Sequence, residues 1–372
     1  MRTLKVVWDN RLAGNDKGGT GVYSARLLEQ FADRKDLSME ILERRRQTSR
    51  TRGLITRGWE TIGNLLWTHA RLPRVLQKVN ADLLHVPAFI APLVAPCPVV
   101  ITVHDISYLL YPSHFSRWWA MYLKTIMPQV LSSAAAIVCV SEHSKRDAVA
   151  TYSIPPEKVF VVPNGVDHDR FYPGIALNHD WACSMGIREE YVLHVGAFSY
   201  RKNIPLLLRA IAHLRSAGTW KDRQLILAGP QDLALNGAHE VFETIKELEL
   251  SASVLLTGHI PNQHLPALYA NAALLAMPSV YEGFGLPVLE AMATGTPVVA
   301  SDASSLPEVA AGAAILFQPN DHLALADAIA DVLKRRSVAE ELRRKGLERA
   351  RQFSWQRTAQ ETVAVYRAVA KS

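Results

Sequence analysis

Cysteine is scarce in this sequence: Cys97, Cys139 and Cys183 are odd in number, lie far apart and form no C-x-x-C spacing. Neither a disulfide framework nor a zinc knuckle can be read from them, and a reducing cytoplasm fits best. A secretory leader is not expected either, because the short apolar run after Met1-Arg2-Thr3-Leu4-Lys5 stops at Asp9 and Asn10. Long apolar runs free of proline are missing as well. From Leu83 to Val103 almost every residue is apolar, yet Pro87, Pro92, Pro96 and Pro98 interrupt the stretch. Two buried strands joined by a loop are expected there, not a membrane-spanning helix.

An acidic surplus is absent too. The formal charge of +6 sits wholly in residues 1–186, with 22 Lys and Arg against 16 Asp and Glu, since residues 187–372 hold 19 of each. Arg44, Arg45, Arg46, Arg50, Arg52 and Arg57 crowd one segment against a single acid, Glu43. They read either as a solvated loop or as an attraction to the anionic inner face of a membrane or to a phosphorylated acceptor. No aromatic interleaving and no recognition-helix pattern accompanies them, so nucleic acid is not an expected partner.

What the chain has in plenty is short apolar, β-branched runs alternating with helical patterns, over 372 residues that exceed one hydrophobic core. Strands are expected at Leu4–Trp8, Ser38–Leu42, Leu83–Val86, Val99–Val103, Ala136–Val140 and Val159–Val162, with helices near Gly21–Ala32, Trp59–Lys78, Ser116–Ser132 and Glu142–Thr151. After Pro163-Asn164-Gly165 and a loop with Pro173 and Gly174 the pattern restarts at Tyr191–Gly196. It continues with strands Gln224–Ala228, Val254–Thr257, Ala273–Met277, Pro297–Ser301 and Ala314–Phe317. From His322 to Ala370 the chain reads as helix, broken lightly around Phe353-Ser354-Trp355. The fold class is therefore α/β, two doubly wound, Rossmann-like domains over 1–180 and 181–352, with a helix over 353–372. Ligands of such sheets bind outside the carboxyl ends of the strands, so motifs on those loops carry the function and a cleft between the domains is the expected site.

The most specific motif runs from Pro278 to Glu290. A strand ends at Met277, a loop bracketed by Gly283 and Gly285 follows, and a helix opens at about Val288 behind Pro287, a residue suited to a first turn. Glycines let the backbone come close to a ligand, and the helix start adds a positive dipole end, so hydroxyls and a phosphate suit this place. Glu282 and Glu290, eight apart, put one carboxylate on the loop and one on the helix. Arg201 and Lys202, within Gly196–Ile204, lie at a second strand-to-helix turn, where a basic pair would neutralise a diphosphate as charge grows on a leaving group. His104 and Asp105 end a first-half strand, a position as suited to structure as to catalysis. Lys17-Gly18-Gly19-Thr20-Gly21 suits a flexible loop over phosphate. Asp167-His168-Asp169 has the spacing of a metal-binding D-x-D but lies in the linker without a partner acid, so no metal is expected there.

Glu282 through Glu290 resembles the E-x7-E signature of retaining glycosyltransferases of family 4, and the order of elements resembles that family along essentially the whole chain. The resemblance implies the GT-B fold, with an acceptor-binding first domain, a nucleotide-sugar-binding second domain and a final helix that returns to the first. It implies that Glu282, with Gly283, Phe284, Gly285 and Leu286, meets the donor sugar, and that Glu290 holds the ribose. Arg201 and Lys202 would grip the diphosphate, His104 would stand near the transferred sugar, Asp105 would face the acceptor, and the Gly18-Gly19 loop would touch the donor phosphate. Transfer with retention and without a cofactor or metal is implied as well. The wording around Glu282 is similar to bacterial mannosyltransferases of polysaccharide or glycolipid synthesis, which suggests GDP-mannose and a glycan or lipid-linked acceptor, with a UDP-hexose as the alternative.

Two rivals of other classes remain at this stage. A nicotinamide-dependent oxidoreductase would use the same sheets, with Glu40 or Glu43 as the ribose acid, but Gly19-x-Gly21 followed by Ser24 is a degraded fingerprint. A non-enzymatic glycan or nucleotide binder would have no use for both the basic pair and the two spaced glutamates.

Overall fold

The computed structural model describes residues 2–15, 18–43, 63, 65–88, 90–112, 117–232 and 237–370. The arginines from Arg44 to Arg57, and Lys17, lie outside the described residues. Two six-stranded sheets form, every strand pair parallel. The first holds β1 (Leu4–Asp9), β2 (Leu37–Leu42), β3 (Leu83–Val86), β4 (Val99–Val103), β5 (Ala136–Cys139) and β6 (Val159–Val161) in the order β2-β1-β3-β4-β5-β6. The second holds β7 (Tyr191–Val195), β8 (Gln224–Ala228), β9 (Val254–Gly258), β10 (Leu274–Met277), β11 (Val298–Ser301) and β12 (Ile315–Phe317) in the order β12-β11-β10-β7-β8-β9. Each strand ends within a residue of its expected range. Central strands such as β4, β8 and β10 are buried along their whole length because helices cover both faces, which is why their sequences are mostly apolar.

Strand order matters more than strand count for the site. In the second sheet the winding reverses between β7 and β10, and in the first between β1 and β3. At such a switch point the two following loops diverge and leave a crevice at the carboxyl ends. The loop after β7 carries Arg201 and Lys202, and the loop after β10 carries Glu282, so chain topology alone makes them neighbours.

The chain divides into two compact units, one comprising Met1–Leu109, Trp118–Gly165 and Trp355–Ser372, the other Leu110–Arg117 and Val166–Ser354. The boundary falls at Gly165, earlier than residue 180, and a short piece of the first half belongs to the second unit. Three helix ranges also differ from expectation. The first helix spans Gly19–Ala32, so Gly19, Thr20 and Gly21 are helical and only Gly18 caps them. The site helix opens at Leu286, not Val288. The expected helix from His322 is three: His322–Lys334, Arg336–Ala350 and Trp355–Val369. Arg335 is extended between the first two, and this bend lays Arg336–Ala350 against the Leu286–Ala293 helix, where Gly346 admits Met292.

The last helix buries Trp355, Ala359, Thr362, Val363, Tyr366 and Val369 within the first unit. Its anchor is polar. The Tyr366 hydroxyl lies 2.8 Å from His85 Nδ1, His85 Nε2 lies 3.0 Å from Thr102 Oγ1, and that hydroxyl lies 3.0 Å from the Tyr23 hydroxyl. Burial pushes His85 down to about 3, with His104 adding to the shift, so the ring is neutral and stacks on Trp8 at 4.3 Å. Arg367 closes the edge on Asp36 at 2.8 Å. Tyr366→Phe is therefore expected to strand a buried imidazole nitrogen and lower stability in urea by about 1–3 kcal/mol. An unchanged midpoint for the first unit would show that the hydroxyl contributes nothing.

Candidate active site

The loop after β7 is shaped by its backbone. Gly196 N donates to Ala228 O at 2.8 Å and Phe198 N to Pro230 O at 3.0 Å, which pins the chain to the end of β8. A 3-10 turn over Tyr200–Lys202 then presents the basic pair, and Asn203, at φ +49°, ends it before the Ile204–Ser216 helix. Asparagine tolerates this left-handed conformation better than most residues.

The loop after β10 meets that turn directly. Val280 N donates to Arg201 O at 2.9 Å, joining the two loops. Lys202 Nζ donates to Glu282 Oε1 at 2.6 Å and Arg201 Nη1 to Glu282 Oε2 at 2.9 Å, so each carboxylate oxygen holds one cation. Lys202 and Glu282 are nearly inaccessible, while the Arg201 side chain is 30% exposed. Burial alone would raise the Glu282 pKa, but the charges of Lys202 and Arg201 outweigh it and bring the carboxyl down to about 2. With two cations on one anion, the cluster keeps a net positive charge at the switch point.

A third loop, after β11, supports Glu282 from behind. Glu282 N donates to Ser304 Oγ at 2.8 Å, and Ser305 Oγ donates to the carbonyls of Glu282 and Phe284 at 2.9 and 2.8 Å. Sequence reasoning missed these two serines; their position just past a parallel strand was the available signal. Gly285 then turns at φ +108°, with Leu306 2.9 Å from where a Cβ would stand, so only glycine fits before the Leu286–Ala293 helix.

The other expected site residues fall as follows. Gly283 and Gly285 are buried and Leu286 is half-buried at the helix start. The Phe284 ring is buried and packs edge-on to Phe353 at 5.9 Å. Glu290 is half-buried on the helix beside the buried Tyr269 hydroxyl, whose pKa burial first, and the Glu290 charge second, hold well above 10.

In the first unit His104 is half-buried. Its Nε2 lies 3.0 Å from Pro87 O, and its ring meets Tyr23 edge-on at 4.9 Å. Asp105 Oδ1 accepts from Ser107 N at 2.9 Å and Ser107 Oγ at 2.7 Å, just ahead of the short Ser107–Leu110 helix. Gly18 and Gly19 are exposed at the start of the Gly19–Ala32 helix. The structure thus brings Arg201, Lys202 and Glu282 into one cluster, with Gly283, Phe284, Gly285 and Leu286 contiguous with it. Asp167 and Asp169 form a turn, Asp169 N donating to Asp167 Oδ1 at 3.1 Å. Among the described residues no group of three or more His, Cys, Asp or Glu could hold a metal ion, and no helix is long and apolar enough to cross a membrane.

Substituting Glu282→Gln would leave a buried ammonium without its anion, with an expected loss of about 3–5 kcal/mol at neutral pH. Because the folded carboxyl is depressed, its contribution is complete above the unfolded value of 4.5 and disappears as pH falls through about 2. The stability gap between wild type and Glu282→Gln, followed by denaturant unfolding, should narrow across that window; a gap independent of pH would contradict the ion cluster.

Comparison with known proteins adds to this geometry. The model "Glycosyl transferases group 1" matches residues 186–353 and "Glycosyltransferase Family 4" matches residues 17–170. O-antigen chain mannosyltransferase B of Escherichia coli is 31% identical over 276 residues, which are 72% of this chain and 70% of that protein. An MMP α-(1→4)-mannosyltransferase of Mycolicibacterium hassiacum is 34% identical over 266 residues, 68% of this chain and 60% of that one. Among solved structures, sucrose-phosphate synthase from Thermosynechococcus elongatus superposes with a TM-score of 0.79 at 22% identity, covering 99% of this chain and 100% of that chain.

Proposed function

Since the chain belongs to glycosyltransferase family 4, with the GT-B fold, we propose that it transfers a hexose with retention and without a divalent metal, taking mannose from GDP-mannose to a glycan or lipid-linked acceptor. One observation carries the reading: Arg201 and Lys202 converge on Glu282 at the switch point of the second sheet. The basic pair suits the diphosphate, where negative charge grows as the sugar leaves, and preorganised cations there act at the transition state. Glu282 suits the sugar hydroxyls, which can share its oxygens with the two cations. Glu290, further along the helix, suits the ribose hydroxyls. His104 and Asp105 stand on the acceptor side of the proposal.

No residue of the cluster stands out as a covalent nucleophile. Attack on the same face as departure is the course proposed, a donor phosphate oxygen taking the acceptor proton. Support for mannose comes from the two relatives named as mannosyltransferases.

Melting the protein with GDP-mannose, GDP, UDP-glucose and NAD tests the assignment, because a ligand at a hundred times its Kd stabilises by about 2.7 kcal/mol. GDP-mannose and GDP are expected to raise the melting temperature. A rise with UDP-glucose alone would replace the donor, and a rise with NAD alone would overturn the transferase reading.

Turnover is also expected to survive a strong chelator, since in this reading Arg201 and Lys202 supply the charge that a metal would otherwise bring to the diphosphate. Loss of activity restored by Mg²⁺ or Mn²⁺ would contradict this and bring Asp167 and Asp169 back as ligands.

A further inference from the structure

His194 is the one titratable imidazole in the apolar strand β7, and it is fully buried. Its Nδ1 lies 3.0 Å from Ala276 O on β10. A carbonyl only accepts, so Nδ1 carries the hydrogen. Burial pushes the ring down to about 4, against the raising effect of that hydrogen bond and with the Lys202 charge adding to the fall, so the imidazole is neutral. Its Nε2 is then a lone pair, buried and without a hydrogen-bond partner. A buried acceptor left unmade is uncommon in native interiors and asks for a reason.

Nε2 borders the same small space as the Lys202 stem. A Cβ on Gly196 would stand 3.3 Å from His194 Nε2, 2.9 Å from Lys202 Cε and 3.1 Å from Lys202 Cδ. The imidazole and the lysine stem thus border one spot that a glycine leaves open, at the end of the strand that leads into the site. We propose that His194 is a positioning residue for Lys202, its Nε2 accepting from the ammonium when a donor diphosphate draws Nζ away from Glu282; this rests on Lys202 being the diphosphate ligand.

Charge explains why an imidazole suits this place. A lysine ammonium has three donors to satisfy, and Glu282 takes one of them at 2.6 Å. A second carboxylate at position 194 would hold Lys202 well but cancel the charge that the leaving group requires. An aliphatic side chain would offer the ammonium no acceptor at this position. A neutral lone pair satisfies one donor and leaves the full positive charge directed at the phosphate.

Donor hydrolysis is measured with GDP-mannose, or with UDP-glucose if that donor is the one turned over, for wild type, His194→Asn, His194→Gln, Lys202→Ala and the His194→Asn/Lys202→Ala double variant. Asparagine keeps a donor for Ala276 O but has nothing at the Nε2 position, whereas the glutamine amide oxygen can reach it. His194→Asn is expected to lower kcat about tenfold with little change in KM and to cost nothing more once Lys202 is absent, the signature of two residues acting as one. His194→Gln should retain most of the rate. Equal losses with and without Lys202, equal losses in Asn and Gln, or no loss in either would overturn the proposal. A normal kcat in Lys202→Ala would overturn it differently, by removing the role of Lys202 itself.

Discussion

A single buried carboxylate organises the second unit's site. Glu282 is desolvated at the end of a parallel sheet, an arrangement that disfavours its charge unless cations compensate, and Lys202 and Arg201 do so from a loop 80 and 81 residues away in sequence. Removing either kind of charge leaves the other buried without a counter-ion, so the loops after β7 and β10 are held together by an electrostatic requirement as much as by packing. The same cluster keeps a positive excess.

Precision at Glu282 comes from layers behind it. Ser304 and Ser305 hold its peptide on both sides, and their loop continues into a helix whose carbonyls at Glu308 and Val309 accept from Arg349 at 2.9 Å each. Arg349 belongs to the Arg336–Ala350 helix, which also packs on the Leu286–Ala293 helix through Gly346. The chain beyond the sheet is thus a brace for the site helix, and the extended Arg335 is what allows it to turn back.

The first unit solves a different problem, that of a polar core. Trp8 Nε1 donates to Ser24 Oγ, which donates to Asn10 Oδ1, and the separate chain from Tyr366 through His85 and Thr102 reaches Tyr23. Buried networks of this kind are stable only when the members find partners, and then they specify one arrangement. Here the arrangement seats the final helix and sets the Tyr23 ring against His104.

Which stretches become strands, and that they wind as parallel sheets, was legible from local sequence, because strands buried on both faces must be continuously apolar and parallel neighbours must be joined by helices. The glycine and proline punctuation from Pro278 to Glu290 was legible for the same local reason: turn geometry demands particular residues. Nothing local could assign the Arg201-Lys202 pair to Glu282, since adjacency across 80 positions is created by the order β10-β7 in the sheet. Nor could it separate His194 from its apolar neighbours, join Ser304 and Ser305 to the Glu282 peptide, or see that Arg335 is extended within a helical run. Propensity and periodicity act over a few residues; charge pairing and desolvation act through space, and only the folded chain decides which residues share it.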